Sequence, residues 1–288
     1  MSVIGITLGD AAGVGPEVIR GALDSGRLDA DFSYRLIGNA VGAIPGKPTE
    51  QTARDALAAL EEAVSLARTG EIAAVVTGPI HKARMQAAGF PFPGQTEFFA
   101  NRWETGNFAM VLTGGALTVA LVTAHIPLRR VPELLTGPEI VRIGSLLADF
   151  LQLRTGRMPR IAVAGLNPHA GEDGMLGSEE EEIIAPAIAR LAAKAVAAWT
   201  GPVSPDTVFH RAAGGEFDAV LCMYHDQGLI PLKLHAFDHG VNVTIGLPHV
   251  RTSPDHGTAF EIAGTGRARP ESMIAAINLA AELVKKRR

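Results

Sequence analysis

The chain has 288 residues, 47% of them hydrophobic and 19% charged, with a net charge of −4. That is long enough for two domains and a large core, and the weakly acidic balance excludes an electrostatic case for nucleic acid. The one cysteine, Cys222, excludes an internal disulfide and fits a reducing compartment, so a cytoplasmic location is expected.

Residues 3–7 form an apolar, β-prone run with no basic region before it, which argues against a signal peptide. A loop with Gly9, Gly13 and Gly15 follows, ahead of a helix opened by Pro16. Glycines let backbone approach a ligand and a helix N-terminus favours anions, but a tight strand-to-helix turn explains the pattern equally well. Gly-x-Gly-x-x-Gly is absent, so a Rossmann dinucleotide fold is not supported.

A run at 34–37 precedes an Ala/Leu-rich helix over 53–67. The run 73–77 leads into Thr77, Gly78, Pro79, Ile80, His81 and Lys82. Lys82 is placed there to meet an anion or, equally, solvent, and His81 reads as structural. Between Thr105 and Leu128 there is no Asp, Glu, Lys or Arg. Gly114 and Gly115 divide that stretch, so it reads as short strands at 108–112 and 117–122 around a turn rather than as a membrane span. A helix over 140–151 and a strand at 161–164 come next. A helix over 179–198 follows, with Ser178 as its N-cap, four glutamates in its first turn and Pro186 as a kink or delay. Strands at 219–223, where Cys222 is a buried and inert thiol, and 241–245 precede a last helix over 271–284. Its end, Lys285, Lys286, Arg287 and Arg288, suits the helix dipole.

This alternation predicts an α/β protein with a largely parallel sheet. Pro/Gly-rich breaks at 89–94 and 248–257 mark boundaries. They give a discontinuous first domain, 1–92 plus 255–288, and a second, 93–254.

Three histidines follow apolar runs, where α/β proteins place their chemistry. His125 stands before Ile126 and Pro127, His169 between Pro168 and Ala170, and His225 between Tyr224 and Asp226. Together they suggest one divalent metal held by distant parts of the chain. The stretch from Met223 to Gly264 is dense in polar groups that gain little from packing, so a binding role is expected there. Lys233 and Arg251 are suited to a phosphate or carboxylate. Asp206 and Asp226 are candidates for a general base or for orienting a ligand histidine, with a turn or N-cap role open for Asp206.

Those three loops, with Gly94 to Glu97 and the segment from Arg251 to Gly264, resemble the 4-hydroxythreonine-4-phosphate dehydrogenase family over essentially the whole chain. The resemblance implies a two-domain isocitrate/isopropylmalate dehydrogenase-like fold with α/β/α domains and a cleft between them. It implies metal ligation by His125, His169 and His225, with zinc, magnesium, manganese or cobalt bound and the site completed across a homodimer. Thr96, Lys233, Asn242 and Arg251 match substrate- and phosphate-contacting positions. NAD or NADP would lie by Asp255, His256, Gly257 and Thr258, with His256 against the adenine. The implied reaction oxidises the hydroxyl of 4-phosphohydroxy-L-threonine and then decarboxylates the product, within pyridoxal phosphate biosynthesis. Gln95 departs from a position commonly histidine, and the stretch between Ile37 and Ala53 is brief. Family members acting on 4-phosphothreonates or dihydrodiol carboxylates are therefore the alternatives. An acyl-phosphate transferase of related fold is the alternative from another class.

Overall fold

The structure, a computed structural model, describes residues 1–287; Arg288, the end of the basic tail, lies outside them. The chain divides into two compact units, Met1–Gly106 with Val241–Arg288, and Asn107–Gly240. The first unit begins with β1 (Ser2–Thr7), α1 (Gly15–Asp24), β2 (Phe32–Ile37), α2 (Glu50–Thr69), β3 (Ala74–Thr77), α3 (Lys82–Ala87) and α4 (Gln95–Arg102). The second holds β4 (Ala109–Gly114), β5 (Leu117–Leu121), α5 (Val131–Leu134), α6 (Gly137–Thr155), β6 (Arg160–Ala164), α7 (Ala185–Ala192), β7 (Ala198–Val203), α8 (Pro205–Ala213), β8 (Ala219–Cys222) and α9 (His225–Ala236). The chain then returns to the first unit for β9 (Val241–Ile245), β10 (Val250–Pro254) and α10 (Glu271–Lys286).

In the first unit the strand order is β2-β1-β3-β10-β9, parallel except for β9 against β10. Ile4, Ile6, Val75 and Val76 are fully buried, as parallel strands covered on both faces require. The α2 helix outruns its expected 53–67 because Thr49 and Thr52 form a capping box and Gly70 closes the other end at φ 77°.

In the second unit the order is β4-β5-β8-β6-β7, with only the β4–β5 hairpin antiparallel. The turn expected at Gly114 and Gly115 is that hairpin's, with Gly115 at φ 56°. One face of these strands packs Leu112, Val119, Leu121, Ala162 and Val220 against Val208 of α8 and Leu229 and Leu232 of α9. The alternate residues Val111, Ala120, Ile161 and Leu221 are buried as well, while α6 and α7 pack on each other and on β4, β5 and β7. Each such Val, Leu or Ile side chain contributes roughly 1.5–3 kcal/mol. Among the described residues no helix is long and apolar enough to cross a membrane.

The division differs from the expected boundaries at 92/93 and 254/255. Pairing of β10 with both β3 and β9 keeps residues 241–254 in the first unit. A chain of ring contacts through Phe90, Phe98, Phe99, Trp103 and His249 keeps α4 there too. The strands β7 and β10 and the helices α4, α5, α8 and α9 go beyond the elements expected from the sequence. The helix expected over 179–198 is a single π-helical segment, Glu180–Ile184, followed by the short α7. Ser178 makes no side-chain cap there; its carbonyl accepts from Glu182 N at 2.9 Å.

At the foot of β8, Asp218 accepts from Arg157 at 2.6 and 2.9 Å, from Arg160 N at 2.8 Å and from Arg160 Nη2 at 3.2 Å. Burial pushes its carboxyl up, and these bonds outweigh that, so it titrates well below the usual carboxylate range. A depressed value means stability present above the unfolded pKa of about 4 and lost as pH falls through the folded one. Asp218→Asn is expected to cost about 1–2 kcal/mol at pH 7. In urea unfolding at stepped pH, its gap from wild type should shrink below pH 4; a pH-independent gap refutes this role.

Candidate active site

In the first unit the chemistry gathers at the carboxyl ends of β1 and β3 and around β10. Arg251, on β10, is 3% exposed. Its Nη2 donates to Thr77 Oγ1 at 2.7 Å and to Gln95 Oε1 at 3.3 Å, and its Nη1 to Thr244 Oγ1 at 3.2 Å. All three acceptors are neutral. Its Nε is buried without a hydrogen-bond partner. Burial pulls the guanidinium down to about 10, and only the more distant Glu97 carboxylate works the other way. Thr96 lies beside it, its Oγ1 3.3 Å from Thr244 Oγ1. Asn242, on β9, has a buried Oδ1 with no partner. Thus Gln95, Thr96 and Arg251 come together through Thr244 and Thr77.

The glycine loop proves to be a packing requirement. A β-carbon on Gly9 (φ 71°) would meet Pro79 O at 2.2 Å, and one on Gly13 would meet Thr258 O at 2.7 Å. That loop is therefore docked on the segment from Asp255 to Thr258, with Val14 N donating to Thr258 O at 2.9 Å. Asp255 N donates to Ser272 Oγ, and the exposed His256 holds Nδ1 3.0 Å from Gly257 O. Lys82 is exposed, and His81 caps α3 by accepting from Arg84 N.

In the second unit, His125 and His225 come together, with ring centroids 5.4 Å apart. Both line a cavity of about 210 Å³ with Thr123, Leu128, Tyr224 and Asp226. His225 is the first residue of α9 rather than a loop residue, and its Nδ1 lies 2.7 Å from Asp226 Oδ1. That contact steadies the ring and leaves Nε2 for another partner. Thr123 ties the His125 loop down, donating from N and Oγ1 to Met223 O at 3.1 and 2.7 Å. Lys233 is also on α9, its Nζ 6.0 Å from the Phe237 ring centre.

His169 stands on a separate loop. Among the described residues, no three His, Cys, Asp or Glu side chains of one chain form a group able to hold a metal ion. The loop is backbone-strained: His169, Ala170, Glu172 and Asp173 all have φ between 44° and 53°, at about 1–2 kcal/mol each. His125 shares that conformation, at φ 53°. Asp206, in the first turn of α8, accepts from Ser204 Oγ at 2.5 Å. That bond holds its carboxyl below the usual range, with a smaller pull from His169, which makes Asp206 a weak proton acceptor.

Two residues without an assigned role organise these loops. Glu180 is 2% exposed. It accepts from Leu166 N at 2.7 Å, Asn167 N at 2.8 Å and Asn167 Nδ2 at 3.0 Å, fastening the backbone that carries His169. Gln227 accepts from Met223 N at 2.7 Å and donates to Gly165 O at 2.6 Å, joining the His225 turn to the start of the same loop. The signal for Glu180 is its place among the four glutamates expected in the first turn of a helix, where the helix dipole alone accounts for them.

A model of the family described as pyridoxal phosphate biosynthetic protein PdxA matches residues 23–280. A 4-hydroxythreonine-4-phosphate dehydrogenase of Desulforapulum autotrophicum is 44% identical, over 97% of this chain and 94% of its own. A crystal structure of the Klebsiella pneumoniae enzyme of that name superposes with a TM-score of 0.84 at 38% identity, covering 99% of this chain and 100% of that one. A terephthalate 1,2-cis-dihydrodiol dehydrogenase from Burkholderia xenovorans gives 0.69 at 26%, with 98% of each chain covered. An isocitrate dehydrogenase of Methylococcus capsulatus (15%, 0.54) and a branched-chain phosphotransacylase of Enterococcus faecalis (14%, 0.59) are alike in fold alone. With most of its length matched by the family model and by relatives above 40% identity, the chain belongs to the PdxA family of pyridoxal phosphate biosynthetic proteins.

Proposed function

We propose that the protein is an NAD- or NADP-linked dehydrogenase that oxidises the hydroxyl of 4-phosphohydroxy-L-threonine to a ketone β to the carboxylate, which is then lost as carbon dioxide. The observation that carries this is Arg251, a buried cation hydrogen-bonded only to neutral groups. An uncompensated buried charge is costly, and a bidentate phosphate is the partner its fork suits. Thr96, Asn242 and Gln95 complete the anion-binding set of the first unit, and Lys233, on α9 of the second, is a further cation proposed to contact substrate.

His125, His225 and His169 are the metal-holding residues in this reading. Imidazole donors fit zinc or cobalt better than magnesium or manganese, which favour oxygen. The bound ion would ease loss of the hydroxyl proton, and the nicotinamide would accept the hydride. Asp226 keeps the His225 ring aligned and is the better placed candidate for the departing proton. Asp206, whose carboxyl the Ser204 hydrogen bond holds below the usual range, is the weaker candidate for that proton. The Asp255, His256, Gly257 and Thr258 segment, braced by the glycine loop, is the cofactor's seat.

Among the described residues no three donors come together within one chain; in this reading a second copy completes the site. An apolar stripe on α9, Ile230, Leu234 and Phe237, is 65%, 89% and 71% exposed. Its spacing puts it on one helix face, as a surface covered in a homodimer would be. His169→Ala is expected to lose stoichiometric metal, measured by elemental analysis, and at least about 10³-fold in kcat. A fully active variant rules the reading out. Screening 4-phosphohydroxythreonine, a 4-phosphothreonate and a dihydrodiol carboxylate for reduced-cofactor formation, with zinc, magnesium or manganese, separates the family alternatives. An acyl-phosphate transferase would form no reduced cofactor and need no metal.

A further inference from the structure

We infer that Gln95 is the positioning residue that aims the Arg251 guanidinium while leaving its charge free for an anionic ligand, so that anion capture there does not vary with pH. The inference rests on the reading of Arg251 as the anchor for the substrate's charged end. Gln95 opens α4 and is half-buried. Its amide is used at both ends: Nε2 donates to Gly78 O at 3.1 Å, and Oε1 accepts from Arg251 Nη2 at 3.3 Å. Turned over, the amide would set its hydrogens against the guanidinium and its oxygen against a carbonyl, so the partners fix its orientation.

The consequence lies in what glutamine does not do. A carboxylate at this position would make a stronger bond to Arg251 and cancel its charge. An imidazole would add a second positive charge below about pH 6.5. Glutamine holds the fork and stays neutral throughout. The other groups facing Arg251 give it no hydrogen-bonded counter-charge either. From β3 and β9 come the hydroxyls of Thr77 and Thr244. From α4 come the Phe99 ring, 5.9 Å away, and Glu97, which attracts Arg251 without hydrogen-bonding to it. From α3, the Lys82 stem passes beside Gly94, close to the Glu97 carboxylate.

Sulfate is the probe, because its charge is constant between pH 5.5 and 8.5. Binding to the purified full-length protein is followed by calorimetry. Gln95→Glu is expected to weaken sulfate at least about tenfold at pH 8. Gln95→His should bind within about threefold of wild type at pH 8 and tighten at least about threefold relative to wild type at pH 5.5. Gln95→Glu binding as wild type, or Gln95→His showing no pH dependence relative to wild type, overturns the inference. If Gln95→Glu does not fold, Gln95→His decides alone. Arg251→Met separates the two levels. If it binds sulfate as wild type does, the anchor reading itself fails. If it loses sulfate while Gln95→Glu does not, only the role of Gln95 fails.

Discussion

Arg251→Met is expected to cut kcat/KM for the phosphorylated substrate by about 10²- to 10³-fold while leaving the melting temperature unchanged or slightly raised. The two halves have one cause. A guanidinium held at 3% exposure among Thr77, Thr244 and Gln95 is desolvated without a paired carboxylate. Replacing such a charge with an apolar side chain of similar length is neutral or stabilising. In the proposed reading the substrate's phosphate would lose its bidentate partner in the same substitution, worth about 2–5 kcal/mol for a buried charge-assisted contact. A thermal melt beside steady-state kinetics checks both. A variant that loses stability in step with activity shows that Arg251 serves the fold instead.

Glu180→Ala is expected to be the most damaging change outside the histidines. It removes the acceptor for Leu166 N, Asn167 N and Asn167 Nδ2. Losing a buried acceptor with several partners costs about 2–4 kcal/mol. The left-handed run at His169, Ala170, Glu172 and Asp173 then loses what holds it in place. Metal affinity should fall about 10- to 100-fold, as when an outer-sphere partner is lost. Glu180→Gln should recover part of the stability, since one amide oxygen still accepts. Urea unfolding and competitive chelation measure the two effects; unchanged metal affinity in Glu180→Ala removes the link between this carboxylate and His169.

Much of the first unit was legible, because its parallel strands β1 and β3 are continuous apolar runs and α2 is a long Ala/Leu-rich amphipathic helix. What escaped was chain whose composition conflicts with its position. The β10 sequence, Val250, Arg251, Thr252, Ser253 and Pro254, is polar yet buried throughout, so it read as a loop. The β7 strand carries Gly201 and Pro202 and exposes half of its residues, so beyond Ala198, the end of the expected helix, it shows no strand pattern. Pro231 sits inside α9, which hid the helix that His225 begins. The site residues are legible as motifs, and the expected division already puts His125, His169 and His225 in the second unit and Asp255 to Thr258 in the first; Gln95, Thr96, Asn242 and Arg251, expected in the second, lie in the first. Nothing in a motif shows that His125 and His225 meet while His169 stands apart. Nor did the acidic run from Glu179 to Glu182 reveal which glutamate turns inward.

The return of the chain to its first unit has a consequence for how the protein is made. Residues 107–240 form a contiguous unit that can fold as soon as it emerges from the ribosome. The first unit cannot, because β10 takes its place beside β3 only after the whole second unit has been synthesised. At ordinary elongation rates the β3 edge therefore waits on the order of ten seconds for its neighbour. Through that interval Val75 and Val76, wholly buried in the finished fold, are the part of the nascent chain most in need of shelter by a chaperone.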